Sequence, residues 1–126
     1  MNANNPYQKY RALSVGTMTP GELIILLYEE LFLHIQRAVC HIQQKKIAET
    51  HTSIIKAENI VSYLTDILDY NYPVSGQLLP VYQFIHTRLV SANISKNPDM
   101  LTELLPLIGE LKTAWQQAEK QIHLNR

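Results

Sequence analysis

The chain has 126 residues, of which 46% are hydrophobic and 17% are charged. This composition is ordinary for a single globular domain and excludes a wholly disordered chain. Because 11 basic residues balance 11 acidic ones, the chain lacks the positive field that binding to nucleic acids or anionic membranes usually requires.

The first stretch of the chain, NPYQKYRALSVGTMTP at residues 5–20, shows no period that would make it a core helix or strand. The chain's N-terminus also lacks the apolar segment of a signal peptide. The longest apolar run, LIILLY at residues 23–28, is far short of the roughly 20 residues that cross a bilayer. We therefore expect a soluble protein of the cytosol.

The sequence TPGE at residues 19–22 predicts the start of a helix. Thr19 suits the N-cap, Pro20 suits the first helical position, and Glu22 lies where a capping box has its carboxylate. The apolar residues that follow recur in steps of four and three, the period of a helix with one buried face. They are Ile24, Tyr28, Leu31, Ile35, Ala38 and Ile42. Cys40 falls within this pattern, so we expect a small buried side chain rather than a nucleophile.

Three further segments show the same helical period. The second ends at the turn-forming sequence DYNYPVSG, residues 69–76, and Asn97 and Pro98 supply the cap and first turn of the fourth. Pro80 and Pro106 each remove a backbone hydrogen bond, so we expect late helix starts or bends there. The apolar stripes are Ile47, Thr50, Ile54, Ala57, Val61, Leu64 and Leu68 in the second segment, Leu78, Tyr82, Ile85, Leu89 and Ala92 in the third, and Leu101, Leu104, Ile108, Leu111, Trp115, Ala118 and Ile122 in the fourth.

Four helices of roughly twenty residues with short links form an antiparallel up-and-down four-helix bundle most economically. The expected fold class is all-α, with residues 19–126 as a single bundle domain and residues 1–18 as an N-terminal extension. Some apolar residues lie outside the narrow stripes, where they either widen the buried faces or form outer grooves that bind a partner. They are Ile55, Ile60, Ile67, Leu79, Phe84, Leu105 and Leu107.

The polar residues show no complete catalytic or metal-binding pattern. Glu30 and His34 are one residue too far apart for the Glu-x-x-His pairs of di-iron bundles, so we expect no metal and no other cofactor. A histidine phosphotransfer domain is the alternative function, because such domains are four-helix bundles with one exposed reactive histidine. His51 with Lys56 is the best candidate pair, but no glycine accompanies it to open the ring to a phosphoryl group. We therefore expect a protein that is not an enzyme.

Five stretches are specific in combination, because they follow one order and spacing over essentially the whole chain. They are NPYQKY at 5–10, TPGELIILLYEE at 19–30, IIKAENIVSYLTDILD at 54–69, VYQFIHTRLVSAN at 81–93 and ELLPLIGELKTAW at 103–115. Together they resemble the FliS family of flagellar secretion chaperones.

The resemblance implies a cytosolic four-helix export chaperone that binds the disordered C-terminal segment of newly made flagellin one to one. Binding would prevent premature polymerisation and keep the subunit ready for the flagellar type III export apparatus. The export-gate protein is implied as a later partner of the loaded complex. Whether the free protein forms a homodimer is left open.

Two groups of residues are candidates for the flagellin site. By resemblance, Tyr7 and Tyr10 match the family's N-terminal tyrosines, and residues 7–15 are expected to pack over the partner groove. Tyrosine suits a surface that alternates between covered and open states, because its ring is apolar and its hydroxyl tolerates water. Surface reasoning adds Leu13, Ile55, Ile60, Tyr63, Tyr82 and Leu105. For this second group, ordinary core packing is an equally good interpretation.

Overall fold

A computed structural model describes residues 18–124 of the chain. Within this part, four long helices and one short helix are present, and no strand is found. They are α1 (Pro20–Gln43), α2 (Ile47–Asp66), α3 (Pro73–Ser95), α4 (Pro98–Thr102) and α5 (Leu104–Leu124). The all-α bundle is therefore confirmed. The N-terminal residues expected to pack on it lie outside the described part, except for Met18.

The start of α1 has the predicted capping box. The Thr19 hydroxyl accepts a hydrogen bond from the Glu22 backbone N–H at 3.1 Å, and the Glu22 carboxylate accepts one from the Thr19 N–H at 3.4 Å. The same hydroxyl donates to Glu119 Oε2 of α5 at 3.0 Å. Gly21 makes this approach possible, because a Cβ atom there would lie 1.8 Å from Glu119 Oε1. The first turn of α1 is thus docked on α5.

Helix α3 begins earlier than the turn-like sequence predicts. Pro73 occupies the first turn, where a missing N–H costs nothing, and the Ser75 hydroxyl donates to the Asp69 carbonyl at 2.6 Å. The helix then continues through Pro80, so the expectation of a late start at this proline is wrong. Gly76, whose carbonyl loses its helical partner at Pro80, is exposed and open to water.

The fourth helical segment is divided in two. Asn97 caps α4 by accepting from the Asp99 N–H at 3.0 Å, as the sequence predicts. Helix α4 ends at Thr102 because Pro106 has no N–H to offer the Thr102 carbonyl and its ring crowds that group. The expected late start at Pro106 is confirmed, since it lies in the first turn of α5.

The core is centred on α1, which packs against α2, α5 and α4, while α2 also packs against α3. Every residue of the predicted α3 stripe is buried. Four other expectations are wrong: Cys40 is exposed, Ile47 and Ile122 are 70% and 49% exposed, and Ala118 is exposed. Cys40 lies about 200° around the helix from buried Ala38, and Ile47 is the first residue of α2, where neighbouring helices cover it least. No helix among the described residues is long and apolar enough to span a membrane.

Candidate partner-binding surface

A buried tyrosine pair links α1 to α3. The hydroxyls of Tyr28 and Tyr82 lie 2.6 Å apart, and the two side chains are among the largest that the core buries completely. Burial raises the pKa of Tyr28 far above its usual value, and Tyr82 acts in the same direction, whereas the Trp115 indole lowers it. Trp115 of α5 is therefore close to the tyrosine pair, which itself joins α1 to α3.

Within residues 18–124, the bundle is open along one edge. Helices α3 and α5 have almost no direct contact with each other, although neighbouring helices in a closed four-helix bundle pack along their length. The contacts around Tyr28 and Tyr82 bridge this gap from the inside. Close by, Thr19 before the start of α1 contacts Glu119, one helical turn beyond Trp115.

A groove of about 600 Å³ runs between α1 and α5. Apolar side chains form much of its lining, including buried Tyr28 and Ile108 and partly exposed Phe32 and Leu33. Its rim is polar, with the Lys112 ammonium 3.6 Å from the Glu29 carboxylate. The groove has the apolar lining and polar rim that helix docking requires.

Helices α2 and α3 are joined on their outer side by polar contacts. Asn93 Nδ2 lies 2.9 Å from His51 Nδ1, and His86 Nε2 lies 3.9 Å from Glu58 Oε1. Burial raises the pKa of Glu58, although His86 and His51 lower it in part. Ile55 of α2 is 37% exposed, and it lies one turn from both His51 and Glu58.

The candidate residues fall into three groups in the structure. Tyr7, Tyr10 and Leu13 lie outside the described residues. Ile55 is exposed, and Leu105 is partly buried against the core. The remaining three, Ile60, Tyr63 and Tyr82, are buried. Tyr63 keeps a buried hydroxyl without a hydrogen-bond partner among the described residues. A role of all eight in partner binding stays a prediction.

Most of the apolar residues outside the stripes widen the buried faces of the helices and do not form outer grooves. Four of them are buried in the core or packed against it, namely Ile60, Ile67, Leu105 and Leu107. Ile55 and Phe84 face outward instead, at 37% and 49% exposure. The Arg88 guanidinium covers the Phe84 ring at 5.9 Å and pairs with Glu103 at 2.5 Å. This arrangement ties α3 to the α4–α5 junction.

Several apolar residues are exposed although no pattern in the sequence predicts it. Leu33 is 39% exposed in the α1–α5 groove, and its position between two stripe residues gave no periodic signal. Tyr70, Tyr72 and Val74 are 62%, 63% and 46% exposed around the start of α3. Their sequence predicts a turn, although two tyrosines beside a valine are unusually apolar for an exposed turn.

The structure does not bring together His51 and Lys56, the candidate pair for a histidine phosphotransfer domain. His51 faces α3 through its contact with Asn93, whereas Lys56 lines a cleft between α1 and α2. The two side chains therefore point to different neighbouring helices. Among the described residues, no group of three or more His, Cys, Asp or Glu side chains is arranged to hold a metal ion.

Comparison with known proteins gives matches over nearly the whole chain. Residues 3–122 match the family described as "Flagellar protein FliS". The flagellar secretion chaperone FliS of Bacillus subtilis (strain 168) is 35% identical over 118 residues, which cover 94% of this chain and 89% of that protein. The flagellar secretion chaperone FliSB of Pseudomonas aeruginosa is 30% identical over 118 residues, 91% of this chain and 94% of that protein. The flagellar secretion chaperone FliS of Vibrio cholerae is 24% identical over 122 residues, which cover 92% of this chain and 90% of that protein.

Proposed function

The chain belongs to the FliS family, and from this premise we propose that it is a flagellar export chaperone that binds the disordered C-terminal region of flagellin. It binds one flagellin per chaperone in the cytosol and prevents premature polymerisation. It then delivers the subunit to the flagellar type III export apparatus, where the export-gate protein contacts the loaded complex. The observation that carries the proposal is the match to named flagellar secretion chaperones over more than nine-tenths of the chain.

Apolar surface on the bundle supports binding to a segment that folds on contact. Such a segment must recover the free energy of its own ordering by burying apolar side chains over a long surface. The α1–α5 groove offers one such surface, and Ile55 and Phe84 add exposed apolar side chains on α2 and α3. The net charge of zero makes apolar burial, rather than long-range attraction, the expected source of affinity.

The open α3–α5 edge supports a role for the N-terminal stretch. Residues 1–17 join the bundle at Thr19, which is held against α5 by Glu119. From there, residues 7–15 are within reach of the edge where Tyr82 and Trp115 lie. Tyr7 and Tyr10 would cover apolar surface in the free protein, and flagellin would displace or rearrange them on binding.

Calorimetric titration with a flagellin C-terminal fragment tests the proposal directly. We expect a complex of one fragment per chaperone with a dissociation constant of about 1 μM or tighter. Helical circular dichroism should increase beyond the sum of the two components, because the fragment orders on binding. A fragment that stays unbound and disordered at high chaperone concentration would refute the proposal.

Matched tyrosine variants test the N-terminal stretch. Replacing Tyr7 and Tyr10 together by alanine should change fragment affinity by about tenfold or more, since each aromatic anchor in an interface contributes more than about 1 kcal/mol. Affinity should rise if flagellin displaces the two rings, and it should fall if the rearranged rings contact flagellin. The control replaces Tyr70 and Tyr72, which are equally aromatic and more than 60% exposed, and should leave affinity unchanged. Deleting residues 1–15 should likewise change affinity far more than it changes the free energy of unfolding. Equal affinity before and after deletion would contradict this role.

Light scattering at several concentrations tests self-association. If the free chaperone dimerises through the surface that flagellin covers, the dimer should dissociate when the fragment is added. A dimer that persists in the complex would place the self-association surface elsewhere.

A further inference from the structure

A polar cleft of about 320 Å³ lies between the C-terminal half of α1 and the N-terminal half of α2. It is distinct from the α1–α5 groove and from the α3–α5 edge. Its lining consists of His34, Arg37 and His41 from α1 and Ala48, Glu49, Thr52, Ser53 and Lys56 from α2. The volume is sufficient for one small ion with several waters, since a water occupies about 30 Å³.

Both helices contribute a cation to the cleft that no carboxylate neutralises directly. Arg37 and Lys56 form no ion pair with any other described residue. The nearby Glu30 carboxylate instead lies 3.6 Å from His34 Nε2. Burial lowers the pKa of His34, and although Glu30 opposes this, the charges of Arg37 and Lys56 lower it further. Arg37, Lys56 and His34 therefore line one and the same cleft.

A hydroxyl donor in the cleft lining accompanies the two cations. Ser53 is 6% exposed, and its hydroxyl makes no hydrogen bond to any other described residue. Its neighbour Thr52 behaves differently, because the Thr52 hydroxyl donates to the Ala48 carbonyl at 3.1 Å. The Ser53 hydroxyl can therefore donate to a group bound in the cleft.

The donors that line the cleft favour one class of ligand. Arg37 and Lys56 can only donate hydrogen bonds, and Ser53 donates from the inner wall of the same cleft. An oxyanion, phosphate or carboxylate, accepts several such bonds at once, and guanidinium and ammonium donors bind it through charge-assisted bonds. Glu49 at the exposed end of the cleft disfavours a larger, multiply charged anion.

We propose that the α1–α2 cleft binds a single small oxyanion group between Arg37, Lys56 and Ser53. The group comes either from a free ion such as phosphate or from a carboxylate of the bound flagellin segment. The second source rests on the proposed function, whereas the first does not.

Titration of the full chain with inorganic phosphate at constant ionic strength tests the site. Nuclear magnetic resonance should show saturable shifts at the Ser53 amide and at the His34 and His41 rings, with a dissociation constant on the order of 1 mM. The double variant Arg37→Gln and Lys56→Gln should weaken the response by about tenfold or more, since it removes two charge-assisted bonds. Both side chains are exposed, so circular dichroism should show an unchanged fold.

The matched control removes the same charge next to the cleft. Lys45 and Lys46 lie in the turn between α1 and α2 and do not line the cleft. Changing both to Gln should leave the phosphate response within about threefold of the natural chain, since surface charges act weakly at physiological ionic strength. Absence of saturable shifts, or equal weakening in both double variants, would overturn the site.

A second titration distinguishes the two sources of the oxyanion. If a carboxylate of the flagellin segment occupies the cleft, the preformed complex should lose its phosphate response, and the Arg37→Gln, Lys56→Gln variant should also bind the segment more weakly. If the ligand is a free ion, the complex should respond as the free chain does, with unchanged segment affinity. A segment that fails to bind at all would refute the proposed function, while the free-chain titration still decides the cleft.

Discussion

Removal of one hydroxyl from the buried tyrosine pair should destabilise the bundle measurably. Tyr28 is 0% exposed and Tyr82 is 2% exposed, so water cannot replace the partner that Tyr82→Phe takes away. The Tyr28 hydroxyl then loses the oxygen that lies 2.6 Å away. A buried donor left in this way costs about 1–3 kcal/mol. We therefore expect Tyr82→Phe to lower the free energy of unfolding by about 1–2 kcal/mol.

The opposite substitution should also cost stability, and the two effects should not add. Tyr28→Phe leaves the buried Tyr82 hydroxyl without the partner that it has in the natural chain. The double variant removes both hydroxyls, so its cost should be no larger than that of either single variant. The resulting coupling energy is expected to be about 1 kcal/mol or more.

Urea unfolding followed by circular dichroism measures these differences in the free energy of unfolding. The comparison holds when the slope of this free energy against urea concentration is the same in all variants. Tyr70→Phe is the control, because Tyr70 is 62% exposed and its change should stay within about 0.5 kcal/mol. Additive single effects, or a Tyr82→Phe effect no larger than that of the control, would refute the role assigned to the pair.

Three further changes test other contacts. Gly109→Ala should raise the free energy of unfolding by up to about 1 kcal/mol, since a Cβ there meets nothing within 4 Å. Gly21→Ala should give a free energy of unfolding about 1 kcal/mol lower than that of Gly109→Ala, because its Cβ displaces Glu119. Equal free energies of unfolding for the two variants in urea would contradict the contact between Gly21 and Glu119. Glu58→Gln should be more stable than the natural chain at about pH 7, because burial raises the native pKa of Glu58 above 4.5, and the difference should shrink as the pH falls through that raised value. As the pH falls from about 7.5 to about 5.5, the His34→Gln variant should lose less stability than the natural chain. Burial lowers the native pKa of His34 below 6.5, so protonation of His34 in the natural chain favours unfolding. Unfolding profiles that run parallel for variant and natural chain would argue against either pKa assignment.

Helical faces and caps were predictable because they depend on residues close together in the chain. The capping box at Thr19 and the buried stripe of α3 follow from spacing alone. The same local rules misplaced the start of α3, since the sequence after Asp69 satisfies both a turn and a first helical turn. The hydrogen bond from Ser75 to the Asp69 carbonyl belongs to the folded arrangement. The apolar character of Cys40 predicts a buried side chain, but its angle on the helix leaves it exposed.

The candidate surface was less predictable than the fold. Ile55 and Ile60 looked equivalent in the sequence, yet one is 37% exposed and the other fully buried. Their difference depends on which side of α2 its neighbouring helices cover, and no local pattern contains that information. The resemblance to the FliS family identified the class of protein, but it did not locate the surface.

The sequence alone determined the number, faces and caps of the long helices and the family to which the chain belongs. Those features depend on periodicity, capping and motif order, all of which are local or directly comparable. Tertiary structure alone decided that α3 and α5 stay apart and that Tyr28 and Tyr82, 54 positions apart in the chain, share a hydrogen bond. It also decided that Arg37, Ser53 and Lys56 meet in one cleft. Each of these depends on how helices are placed against one another, and that placement is set by the packing of the whole core.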